Sequence, residues 1–145
     1  MLHPVELAAK FRSNGLRVTP QRQLLFQLLY DNDRHPTAES LYLDALTRMP
    51  GISLRTVYQT LTDLESMGEV SQLSFDNGAA RFDPNMSNHH HAMCNICGSI
   101  IDIDVDHLDD LRIRGDARFS AASAAVVFRG TCETCESPDL TSSHK

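Results

Sequence analysis

The sequence holds 145 residues, 41% of them hydrophobic and 22% charged, with four cysteines and a net charge of −6. That is chain enough for one ordinary domain or two small ones, with the composition of soluble globular proteins rather than disordered or fibrous ones. It excludes a helical membrane protein, because no apolar run approaches the roughly 20 residues that span a bilayer, and the negative balance speaks against a general polyanion binder.

Residues 4–13 are the first expected helix, with Leu7, Ala8 and Phe11 on one side and Gly15 ending it. Thr19-Pro20 starts the second: the threonine caps, and proline sits at the first helical position, where its missing N–H costs nothing. This helix runs through Leu24, Leu25, Leu28 and Leu29 to about Tyr30. Thr37 opens a third after His35-Pro36, with Leu41, Tyr42, Ala45 and Leu46 at helical spacing and Pro50-Gly51 as its stop.

Ser53 caps a fourth helix whose buried stripe is Leu54, Val57, Leu61 and Leu64, three and four apart, and Gly68 stops it. Arg55, Thr56, Tyr58 and Gln59 are left on or beside its outward face, near the N-terminus. Two extended runs follow, 70–75 and 79–82, joined at Asp76-Asn77-Gly78, a strong hairpin signal.

Three helices, a capped fourth and a hairpin are the pattern of a winged helix-turn-helix, in which the fourth helix enters the DNA major groove. Arg55 either forks onto guanine or holds a phosphate, and the sequence does not choose. Arg17 and Arg22 join the candidate contacts. Up to Asn32 they, Lys10 and Arg12 face only Glu6 and Asp31, whereas acid gathers later in Asp102, Asp104, Asp106, Asp109 and Asp110. The competing reading is a helical core with a hairpin whose polar face is merely solvated.

A linker near 84–88 divides an expected first domain, 1–84, from a second, 85–145. The second reads as small and α/β: strands over the histidine run, 100–105 and 125–128, and a helix over 106–114 with Leu108, Leu111 and Ile113 inward. From Glu136 onward the chain is polar and expected to fray. The whole is an α+β chain.

His89-His90-His91-Ala92-Met93-Cys94-Asn95-Ile96-Cys97 holds two kinds of metal ligand in one run. A histidine run can also be a solvated loop or a tag scar, but this one lies mid-chain. Cys94-x-x-Cys97 with Cys132-x-x-Cys135 is the spacing of a closed, tetrahedral Zn²⁺ site with no position left for chemistry. Two disulfides or an iron–sulfur cluster are the alternatives. The first residues show no signal-peptide pattern, so the cytoplasm is the expected location, and thiolate ligands are favoured there.

The histidines then need a second metal. His89 and His91 are two apart, so both imidazoles point to one face of a strand. With Asp83 and Asp102 they make a nitrogen/oxygen site that suits Fe²⁺, Mn²⁺ or Zn²⁺ and disfavours Cu(I). His35 is a candidate fifth ligand, though no spacing rule recruits it.

The chain resembles the ferric uptake regulator family of bacterial metal-dependent repressors, and most of all its peroxide-sensing branch. Arg17-Val18-Thr19-Pro20-Gln21-Arg22, His35-Pro36-Thr37-Ala38, Thr56-Val57-Tyr58, Arg81-Phe82-Asp83, His89-x-His91-x-x-Cys94-x-x-Cys97-Gly98 and Gly130-x-Cys132-x-x-Cys135 fall in the family's order and intervals. The resemblance implies a homodimer with winged-helix domains and a C-terminal α/β dimerisation domain, bound to a palindromic double-stranded DNA operator. It implies a regulatory metal site of His35, Asp83, His89, His91 and Asp102, in which Asp102, rather than glutamate, marks the peroxide-sensing branch. It also makes His35 and His89 the oxidation-sensitive ligands.

One departure stands out. The position where many members carry a further metal-binding histidine is about Ala124, inside the histidine-free 120–127. No high-affinity third site is expected.

The function expected is therefore a transcriptional repressor, not an enzyme, with structural Zn²⁺ and regulatory Fe²⁺ or Mn²⁺. Iron- or zinc-uptake regulation is the rival within the family. A metal-dependent hydrolase is the rival outside it, lacking any identifiable general base, and a zinc-stabilised interaction module without DNA is another.

Overall fold

Thr19, Thr37 and Ser53 start three helices of the computed structural model. Each hydroxyl accepts a backbone N–H three residues on, from Arg22, Ser40 and Thr56 respectively. The structure describes residues 1–75, 78–115 and 118–136, and the chain divides into two compact units, Met1–Ser87 and Asn88–Lys145.

The first unit holds α1 (Pro4–Ser13), α2 (Pro20–Leu29), α3 (Ala38–Arg48), α4 (Leu54–Ser66), β1 (Ser71–Leu73) and β2 (Arg81–Asp83). Leu7 and Phe11 of α1, Leu25, Phe26 and Leu29 of α2, Leu41 of α3 and Val57, Leu61 and Leu64 of α4 are buried together. Phe11 meets Phe26 edge-on, with ring centroids 4.8 Å apart, a geometry worth about 0.5–1.5 kcal/mol beyond the area buried. Leu54 is only half-buried, and Thr60 takes a place in the stripe instead. Its hydroxyl donates to the carbonyl of Thr56 at 2.7 Å, which lets a polar residue lie inside.

β1 and β2 pair antiparallel, Gln72 opposite Phe82, and make the wing of a winged-helix fold. Asp76 and Asn77, on which the expected turn rests, lie outside the described residues. A further bridge, Thr37 to Arg81, ties β2 to the entry of α3.

Behind the wing, Glu69 is 5% exposed. It accepts from Lys10 Nζ and from the Leu2 N–H, each at 2.7 Å. Burial pushes this carboxyl up, but the bonds from Lys10 and Leu2 outweigh it and the net shift is down. A depressed folded-state value means the stabilisation is present above the unfolded value and lost as pH falls through the folded one. Glu69→Gln is expected to cost about 1–3 kcal/mol at pH 7 by urea unfolding. The gap from wild type should close as the buffer is taken below the ordinary carboxylate range.

The second unit holds β3 (His90–Cys94), β4 (Ile100–Ile103) and β5 (Val127–Gly130) in the order β4-β3-β5. β3 pairs antiparallel with β4 and parallel with β5, Cys94 standing opposite Gly130. The helix expected over 106–114 does not form. A single 3₁₀ turn, Leu108–Asp110, stands there after His107 in a left-handed conformation, and Leu111 and Ile113 are 59% and 55% exposed. Nine residues are too few to be helical without a packed face, and these two side chains have none. Residues 137–145, in the tail expected to fray, lie outside the described residues.

Candidate metal centres

The parallel pairing of β3 and β5 brings the two Cys-x-x-Cys segments together, because both strands leave the sheet at the same end. Asn95 N–H donates to the Gly130 carbonyl at 2.8 Å just beyond that pairing. Gly98, with φ +74°, turns the first knuckle back, its N–H on the Cys94 carbonyl at 3.0 Å.

The ligand sulfurs of Cys94, Cys97, Cys132 and Cys135 all lie within 4.8 Å of one another, and none is in a disulfide. Cys97 and Cys132 Sγ are 3.7 Å apart. A tetrahedron with Zn–S bonds of about 2.3 Å has edges of about 3.8 Å, so this donor set fits zinc.

The thiols are not biased alike. Backbone N–H bonds at Cys97 and Cys132 pull Cys94 down to about 6, and the Ser99 hydroxyl lowers Cys97. Hydrogen bonds with Cys132 and Cys97 push Cys135 up to about 12. Four thiolates cannot share this space without a cation to neutralise them.

Each unit also carries a pair or trio of nitrogen and oxygen ligands. In the first, His35 is fully buried and its Nε2 lies 3.3 Å from Asp83 Oδ2, while Asp83 Oδ1 accepts the Asn85 N–H at 2.9 Å. In the second, His91 on β3 stands opposite Asp102 on β4. His89 and His91 Nε2 converge on the same Asp102 oxygen, at 3.2 and 3.3 Å. Two imidazoles aimed at one carboxylate oxygen suit a borderline divalent cation. His90 points elsewhere: its Nδ1 accepts the Val126 N–H at 3.1 Å, which fastens β3 to the start of β5.

The family model of the ferric uptake regulator family matches residues 13–129. The chain belongs to the ferric uptake regulator family. Across 133 residues it is 32% identical to the peroxide-responsive repressor PerR of Staphylococcus epidermidis, covering 90% of this chain and 89% of that protein. Among solved structures, it is similar to the ferric uptake regulator of Pseudomonas aeruginosa with manganese: 28% identity, TM-score 0.65, 92% and 99% covered. It is also similar to PerR of Streptococcus pyogenes, described for peroxide sensing and gene regulation: 26% identity, TM-score 0.54, 94% and 95% covered.

On the winged-helix unit, Arg55, Tyr58 and Gln59 are exposed on α4 and Arg17 is exposed before α2. Thr56 shares its hydroxyl with the Ser53 cap, 2.9 Å away. Arg22 is turned inward instead. It bonds Asp63 at 3.2 Å and the Arg17 carbonyl at 2.9 Å, and lies over the Phe11 ring, so its guanidinium braces the unit.

Two partners escaped the sequence. Tyr58 donates its O–H to Glu39, a bond that holds the Glu39 carboxyl below its ordinary range and the phenol above its own. In the sequence Glu39 reads only as an acidic first-turn residue favoured by the helix dipole. Arg81 reads as part of a motif without a role, although strand alternation places it on the same side as Asp83.

Proposed function

We propose that this protein is a cytoplasmic, metal-dependent repressor that binds palindromic double-stranded DNA as a homodimer and releases it when peroxide oxidises its regulatory site. The observation carrying this reading is the convergence of His89 and His91 on an aspartate, Asp102, beside a separate four-cysteine cluster. The relative named as peroxide-responsive supports it, and none of the three relatives is named as an enzyme.

In this reading the cysteine cluster holds Zn²⁺ as a staple. The regulatory metal, Fe²⁺ or Mn²⁺, is held by His35 and Asp83 of the first unit with His89, His91 and Asp102 of the second. Binding both sets of ligands at once selects the arrangement in which two recognition helices reach successive major grooves. The metal shifts that equilibrium only by its differential affinity for the closed form. Fe²⁺ held there would supply the reducing equivalents for cleavage of the peroxide O–O bond, chemistry Mn²⁺ does not readily perform. His35 and His89 are the ligands that take up oxygen, and a ligand lost in this way releases the metal and then the DNA.

Dimerisation is supported by the sheet of the second unit. Ile101 and Phe128, 49% and 53% exposed, flank Ala92 in one row across β4, β3 and β5, an apolar face fit to seat a second copy.

Selection of DNA from a random pool tests the reading. Recovery of a palindromic site with Mn²⁺ and its loss with a chelator are expected, whereas no enriched site would leave a metal-binding module without DNA. Arg55→Ala is expected to weaken the selected site by about 1–3 kcal/mol and relax preference at one position if the guanidinium reads a base. A phosphate contact would instead weaken all sequences and lower the salt dependence.

A further inference from the structure

We propose that Arg81 is a positioning residue for the His35 ligand, so that β2 of the wing carries the first half of the regulatory site as one piece. The proposal rests on the regulatory-site reading above and adds a residue to it.

His35 has φ +51°, a left-handed conformation that non-glycine residues rarely adopt. Pro36 follows it, and a proline already disfavours helical backbone for the residue before it. The bend therefore has to be held from outside, and β2 holds it at three successive points. Arg81 Nε donates to the His35 carbonyl at 2.5 Å and Nη2 to the Arg34 carbonyl at 3.3 Å. Phe82 N–H donates to the Pro36 carbonyl at 2.9 Å, and the Asp83 carboxylate lies on the His35 ring.

Arg81 and Asp83 are two apart, so one face of a three-residue strand grips both the backbone and the imidazole of the same ligand. A guanidinium fork can span two adjacent carbonyls, which a lysine ammonium does not reproduce. Since β2 is also a wing strand, paired with β1, a metal pulling on His35 pulls on the wing.

Mn²⁺ titration of the zinc-loaded protein tests this, with wild type, Arg81→Ala, Arg81→Lys and His35→Ala compared by calorimetry and by the paramagnetic resonance of free Mn²⁺. Loss of a partner that orients a metal ligand typically costs about 10–100-fold in metal affinity. Arg81→Ala is expected in that range, Arg81→Lys to lie between it and wild type, and DNA affinity at saturating Mn²⁺ to return toward the wild-type value. Thermal unfolding checks that the first unit stays folded, and the lysine variant carries the comparison if the alanine variant does not.

Unchanged Mn²⁺ affinity in the folded Arg81 variants, with His35→Ala impaired, would overturn the proposal and leave the regulatory site standing. A DNA defect that persists at saturating Mn²⁺ without any change in Mn²⁺ affinity would make Arg81 a brace of the wing alone. Equal Mn²⁺ binding by wild type and His35→Ala would remove the site itself and the proposal with it.

Discussion

Cys94→Ser or Cys135→Ser is expected to unfold the second unit and abolish dimerisation. Apart from the ligand Cys94, the apolar core of that unit is thin: among its described residues Ile100 is the one other buried hydrophobic, beside His90 and His91. Burying one such side chain contributes about 1.5–3 kcal/mol, far below the conformational entropy of ordering three strands. A structural zinc contributes about 10–16 kcal/mol in small zinc-folded peptides, so here the metal outweighs the apolar core. Native mass spectrometry should find one tightly held zinc per wild-type chain and none per variant chain. Proteolysis should then cut freely beyond Asn88 while α1–α4 stay protected. Stable, zinc-free dimers of both variants would show that the cluster is not the staple.

The second large effect is on DNA binding under peroxide. Protein loaded with Fe²⁺ should lose its selected DNA site after brief peroxide exposure, and the same protein loaded with Mn²⁺ should keep it. Moving a two-state equilibrium from almost wholly open to almost wholly closed takes a metal that binds the closed form about 10⁴-fold more tightly than the open one, and in the proposed site the loss of a histidine ligand would erode that preference. Asp102→Glu refines the test. The aspartate oxygen already serves both His89 and His91, and a longer carboxylate can chelate through both oxygens and fill the position that peroxide needs. That variant should repress with metal yet respond sluggishly. An Fe²⁺-loaded wild type that ignores peroxide while binding DNA would be an iron- or other metal-uptake regulator.

What the sequence made legible was local. Thr19, Thr37 and Ser53 announce their helices because a cap is a contact three residues long, and all three hydroxyls make it. Cys94, Cys97, Cys132 and Cys135 announce a cluster through spacing, but the means of joining them is the parallel β3–β5 pairing, a non-local register that no local pattern encodes. His35 is a candidate that no spacing rule recruits until the family resemblance includes it, since its backbone bend is left-handed and its carbonyl is bonded by Arg81, 46 residues away.

The expected 106–114 helix failed for the complementary reason. Its apolar spacing is helical, but spacing does not fold nine residues when Leu111 and Ile113 stay exposed. Arg22 reads as a basic residue beside a DNA-binding element, and nothing in the sequence tells that Asp63, the Arg17 carbonyl and the Phe11 ring hold it.

The most direct measurement is peptide mass spectrometry of the Fe²⁺-loaded protein before and after brief peroxide treatment, with the Mn²⁺-loaded protein alongside. In the net reaction one oxygen of peroxide ends on an imidazole carbon and the other leaves as water. The account predicts a single added oxygen on the peptides holding His35 or His89, in the Fe²⁺ sample alone, with the four cysteines unmodified. Oxidation confined to the cysteines, or equal oxidation with either metal, would contradict it.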